Sequence, residues 1–130
     1  MLTGGCHCGS VRYEAEGVPI ERALCHCELC RRTTGAPAVA WFTVREGDLR
    51  LTGEPVAYAS SDHAVRTFCG RCGTQITFRD TAYDDRIDIT TGSLDDPEAC
   101  PPVEQIWVRS RLAWMATAHA LPDDLGRRPR

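Results

Sequence analysis

Seven cysteines fall into three tight clusters, "CHC" at 6–8, "CHCELC" at 25–30 and "CGRC" at 69–72, and an eighth, Cys100, stands alone. Thiols this close together need a chemical partner, and the two available are disulfides and a metal ion. A Cys-x-Cys pair is too short to bridge easily within itself, whereas its two thiolates readily bind one ion. The opening "MLTGGCHCGS" lacks the charged and apolar regions of a secretory leader, so the expectation is a reducing, cytoplasmic setting in which disulfides are rare. Spacing and setting together favour metal.

The chain has 130 residues, the length of one domain. We take 1–130 as a single zinc domain with a core at about 2–122 and a flexible tail at 123–130. No apolar run approaches the length needed to cross a bilayer, so no membrane association is expected. All fifteen basic residues are arginine, against eighteen acids, for a formal charge of -3. Thiolates holding divalent ions make that balance more negative. A general nucleic-acid binder needs a basic face, and the only basic cluster is the terminal "GRRPR", so no nucleic-acid partner is expected.

Short alternating runs separated by turn residues dominate. In "SVRYEAE", Val11, Tyr13 and Ala15 share one side while Arg12 and Glu14 share the other, as a half-buried strand requires. Further strands are predicted at 39–44, 49–52, 55–59, 64–68, 75–79, 86–91 and 105–109, which makes a mainly antiparallel β protein. Helical stretches are short, at 28–33 and 111–118.

Two pairs of cysteines complete one tetrahedron. Cys69 and Cys72 sit in a knuckle whose Gly70 and Gly73 allow a tight turn that aims backbone N–H groups at sulfur. Cys6 and Cys8 are their natural complement, giving a closed, structural four-cysteine site. The alternative for Cys69 and Cys72 is a thioredoxin-type redox pair, but that motif belongs to a βαβ setting this sequence lacks. Cys25, Cys27 and Cys30 remain. Their fourth ligand would have to be Cys100 or a histidine. His7 and His26 each lie between two cysteines and should point outward or support the ligands from behind, while His63 and His119 read as exposed. An open site of three cysteines is therefore the preferred reading, with Cys100 as the alternative closure.

An open zinc on three thiolates carries a net charge of about -1 and is a weak generator of hydroxide. It suits a soft ligand such as another thiolate. Arg31 and Arg32 are candidates to offset that charge or to hold substrate carboxylates; their alternative role is a solvated helix face.

With these residues in place, the chain resembles the glutathione-dependent formaldehyde-activating enzymes, also grouped with centromere protein V. "GGCHCGSVRYE", "CHCELCRRTTG", "YASSDHAVRTFCGRCGTQITF" and "WVRSRLAWMATAHALP" carry the resemblance in order, with Trp114 and the Leu121-Pro122 pair falling in place. The resemblance implies a mainly β, Mss4-like, tent-shaped fold and two zinc ions per chain. Cys6, Cys8, Cys69 and Cys72 would hold the structural ion, and Cys25, Cys27 and Cys30 a catalytic-type one. It implies a carbon-sulfur lyase that joins glutathione and formaldehyde into S-hydroxymethylglutathione, or reverses that step. Gln105 stands where many members carry a histidine. The competing function is a zinc-stabilised binding or scaffold module without catalysis.

Overall fold

A computed structural model of the chain describes residues 1–83 and 85–126. Ten strands and one α-helix follow in order: β1 (Leu2–Gly5), β2 (Arg12–Ala15), β3 (Glu21–Cys25), α1 (Glu28–Thr34), β4 (Val39–Arg45), β5 (Leu49–Thr52), β6 (Val56–Ser61), β7 (Ala64–Phe68), β8 (Gln75–Asp80), β9 (Arg86–Thr90) and β10 (Glu104–Ile106). They form two sheets. The small one runs β1-β2-β5, and the large one β10-β3-β4-β9-β8-β7-β6. Every pairing is antiparallel except β10 against β3. The mainly β architecture is the one the alternating runs predict.

Side chains alternate across a strand, and β4 shows the result most clearly. Phe42 and Val44 point into the larger core, where they meet Val11, just before β2, Tyr13 and Ala15 of β2, and Ile87 and Ile89 of β9. Val39 and Trp41 point to the opposite face, beside Cys25, Cys30 and the ring of Phe78. The larger core, shared with the small sheet, thus lies on one side of the large sheet, and α1 packs through Cys30 against part of the other. Burying a side chain as completely as Phe42, at 0% exposure, contributes about 1.5–3 kcal/mol.

A register irregularity between Thr67 and Phe68, where β7 pairs with β8, has a specific effect. It lets Ile76 join the larger core while Phe78, two residues on, lies with the second cluster.

Three local features differ from the sequence expectation. β1 and β3 are additional strands. The strand expected at 105–109 ends at Ile106, because Trp107 adopts a left-handed backbone (φ 55°) that takes the chain out of the sheet. The stretch expected at 111–118 is a 3₁₀ segment, Ala113–Ala120, with no buried residue to reward a regular amphipathic helix. The tail expected at 123–130 falls partly on residues 127–130, outside the described residues. Among the described residues, no helix is long and apolar enough to cross a membrane.

Candidate metal centre and its cavity

The four-cysteine group is built where the turn after β1 meets the turn between β7 and β8. The Sγ atoms of Cys6, Cys8, Cys69 and Cys72 all lie within 4.8 Å of one another. Cys6 and Cys8 are 3.6 Å apart, and Cys8 and Cys69 3.7 Å. A tetrahedron with metal–sulfur bonds of about 2.3 Å has edges of about 3.8 Å, so these separations fit one shared ion. They are far too long for disulfides, and all eight cysteines are unbridged.

The sulfurs already receive hydrogen bonds suited to negative charge. Val11 N–H donates to Cys6 Sγ at 3.2 Å. Ser10 Oγ lies 3.1 Å from Cys8 Sγ and 3.3 Å from Cys69 Sγ. The Thr74 hydroxyl, with the N–H groups of Thr74 and Cys8, holds the Cys72 thiol down to about 5. Gly73, at φ 83°, makes the turn and donates its N–H to Cys69 O.

The three-cysteine group sits at the junction of β3 and α1. Cys25 ends the strand, Cys27 caps the helix and Cys30 lies in its first turn. The cap is made by sulfur: Cys27 Sγ accepts the Cys30 N–H at 3.2 Å. Gly35, at φ 73°, ends the helix and donates its N–H to Arg31 O. All three Sγ atoms lie within 4.8 Å of one another. Hydrogen bonds from the Cys25 and Cys30 thiols, then the Cys30 N–H and the charge of Arg66, push the Cys27 thiol far below its ordinary range. The Cys25 thiol is correspondingly pushed up, chiefly by its contact with Cys27. Three converging sulfurs are a donor set that suits a soft or borderline divalent ion.

This cluster opens on a cavity of about 550 Å³. Its walls are the non-core face of the large sheet, including Ala23, Trp41, Phe78 and Arg66. Trp41 and Phe78 meet at a tilt, centroids 6.2 Å apart. His63, Tyr83, Trp107 and Ser110 also line it, as do Asp80 and Asp88. Thr43 Oγ1 donates to Asp88 Oδ1, while burial raises the Asp88 carboxyl above its usual range.

Arg31 and Arg32 line a neighbouring hollow of about 420 Å³ with Gly35, Pro37, Leu112 and Trp114, and Glu28 borders both spaces. Arg32 reaches Glu28 at 3.9 Å on the helix surface. Cys100 is buried in the larger core beside residues such as Tyr13 and Leu94, outside the three-cysteine cluster. His7 is exposed, as is His119. His63 is exposed too, with Nδ1 3.2 Å from Asp80 Oδ1. His26 departs from the outward alternative: it is 1% exposed because β10 packs across the end of β3, and its Nε2 lies 2.8 Å from Gln105 Oε1.

Arg66 is the residue that sequence reasoning missed. It is 2% exposed, and its Nη1 and Nη2 lie 3.9 and 3.8 Å from Cys30 Sγ. The available signal was parity: in β7 it shares a side with Ala64, an apolar position that an arginine occupies only for a reason.

Two cysteine clusters on one mainly β scaffold, one of four sulfurs and one of three facing a cavity, define a class of β domains whose thiol groups could each hold a metal ion. Comparison with known proteins narrows this class. The family model described as glutathione-dependent formaldehyde-activating enzyme matches residues 1–110, and the chain belongs to that family. It is similar to an uncharacterized lyase of Schizosaccharomyces pombe, 32% identical over 75 residues. That match covers 58% of this chain and 55% of the yeast protein, little more than half its length. A Halomonas elongata protein, named provisionally as a glutathione-dependent formaldehyde-activating enzyme, is 26% identical over 111 residues, covering 78% of this chain and 71% of its own. A crystal structure of a Rhodobacter sphaeroides protein superposes with a TM-score of 0.64 at 26% identity, over 79% of this chain and 98% of that one.

Proposed function

We propose that the protein is a zinc-dependent carbon-sulfur lyase acting on an adduct of glutathione, or a related thiol, with formaldehyde or a similar aldehyde. The observation that carries the reading is the three-cysteine cluster facing a cavity large enough for a small thiol, with no fourth protein sulfur in its group among the described residues. Family membership supports the same chemistry.

In this reading Cys6, Cys8, Cys69 and Cys72 hold a structural ion, and Cys25, Cys27 and Cys30 a second. Bound there, zinc supplies a soft Lewis-acidic position for sulfur. The chain's own residues do the rest. Trp41 and Phe78 wall the reacting sulfur from water. Arg31 and Arg32, in the hollow beyond Glu28, receive substrate carboxylates. In the adduct-forming direction the thiol sulfur bonds to the aldehyde carbon and its proton ends on the former carbonyl oxygen; the reverse breaks that bond, and no electrons leave the system. The eight unbridged thiols suit a reducing compartment such as the cytoplasm.

The test is cobalt substitution at the second centre. Glutathione should change the visible spectrum, because its sulfur enters the coordination sphere, and Cys100→Ser should leave that change intact. A spectrum indifferent to glutathione sinks the lyase reading and leaves a zinc-stabilised binding module.

A further inference from the structure

We propose that Arg66 is the internal counter-ion of the three-cysteine centre, and that its positive charge sets how tightly that centre holds a divalent ion. The inference rests on reading the cluster as a metal centre. Its ground is that Arg66 is buried and charged, and that no carboxylate lies within ion-pair distance of it among the described residues. A guanidinium cannot shed its proton in a protein, so burying it without an anion is strongly unfavourable.

Its contacts show where the anion must be. Nε donates to the neutral Ser60 Oγ at 3.3 Å, and the guanidinium carbon lies 4.7 Å from the centroid of the Phe78 ring. Both fix its orientation, and neither supplies a full negative charge. The two terminal nitrogens converge on Cys30 Sγ. Asp80 and Asp88 line the same cavity, and Asp88 feels the charge of Arg66, but neither carboxylate comes within ion-pair distance of it. Three thiolates around a divalent ion leave one negative charge in excess, and Arg66 brings one positive charge to its edge. The match explains both anomalies at once: a buried arginine with no carboxylate in contact among the described residues, and a cluster of sulfurs in a cavity wall.

Arg66 is therefore a positioning residue that acts through Cys30. It stabilises the loaded centre and leaves it close to neutral, so that a further anionic sulfur can approach the ion without meeting an uncompensated charge. The four-cysteine centre lies outside the contacts of Arg66 and provides an internal reference.

The experiment titrates zinc, against a competing chromophoric chelator, into wild-type protein and the variants Arg66→Met, Arg66→Gln and Arg66→Lys, with circular dichroism to verify the fold. The neutral variants should keep one ion with wild-type affinity and bind the second about tenfold to a hundredfold more weakly, the range of a hydrogen bond to a charged group. Arg66→Lys, which keeps the charge but not the planar fork, should recover most of that loss. Folded neutral variants with an unchanged second affinity overturn the proposal. So does Arg66→Lys binding as weakly as they do, and so do neutral variants that fail to fold with the first centre loaded. A wild-type chain that binds a single ion removes the metal reading of the cluster itself, an outcome separate from all of these.

Discussion

His26, just past the end of β3, and Gln105 of β10 meet beside the parallel pair of these two strands, with His26 Nε2 2.8 Å from Gln105 Oε1. The amide oxygen accepts, which assigns the His26 proton to Nε2. Arg111 Nη2 donates to the same oxygen at 3.2 Å, and the His26 N–H donates to Ile106 O at 3.1 Å. The residue between Cys25 and Cys27 is thus clamped from the far end of the chain.

Gln105→Ala removes that acceptor and leaves a buried donor unpaired, which should cost about 1–3 kcal/mol. Urea unfolding measures it. An unchanged midpoint means that the clamp contributes nothing to stability.

The two cysteine groups should fail differently. The four-cysteine group joins the small sheet to the β7–β8 turn, so Cys69→Ser should unfold the chain: a structural zinc is worth on the order of 10 kcal/mol, against a domain stability of about 5–15 kcal/mol. Cys25, Cys27 and Cys30 span one strand end and one helical turn, and their ion closes only a short loop. Cys30→Ser should stay folded, bind one zinc fewer and lose activity on thiol adducts. Melting curves and metal analysis side by side decide; equal loss of fold in the two variants reverses the assignment.

Tyr13 is buried, and burial, partly offset by its 2.8 Å hydrogen bond with Ser93 Oγ, raises its hydroxyl from 10.0 to about 12. A group whose proton is held more tightly in the folded state contributes stability that is fully present below pH 10 and is lost as pH rises through 12. The loss should approach about 2–3 kcal/mol. Tyr13→Phe should flatten that alkaline limb of the stability profile, and a limb that survives the substitution belongs to another group.

Gly4 pairs with Tyr13 across β1 and β2. A Cβ added there meets the Tyr13 hydroxyl and the backbone oxygen of Ser93 closer than side chains tolerate. Gly4→Ala should cost about 1–3 kcal/mol through overpacking. A thermal melt equal to wild type shows that the tyrosine ring can move aside.

The cysteine spacing and the strands built on clean alternation were readable in advance, because both are local patterns. β1 was not: in "LTGG" half the residues have no side chain to alternate, and the strand is defined by its pairing with β2, where the Tyr13 ring lies close over Gly4. β3 was hidden because "ERALC" mixes small and charged residues whose burial is decided by its neighbour β4. The surroundings of Arg66 come from Cys30, Ser60 and Phe78, on three other elements, so no window of sequence contains them.

The parallel partner of β3 is also the last strand to be made. A ribosome releases the fourth member of the closed sulfur set at residue 72, but Glu104–Ile106, which flanks the strand ending in Cys25, emerges only after another thirty or so residues. The nascent chain therefore passes through an interval in which one centre can be filled while the other lacks a wall. Chains stalled with residues up to about 95 already outside the exit tunnel, and 104–106 still within it, are expected to resist alkylation at Cys69 and Cys72 when zinc is supplied and to react at Cys25, Cys27 and Cys30. The direction of translation would then decide which cluster is ready first.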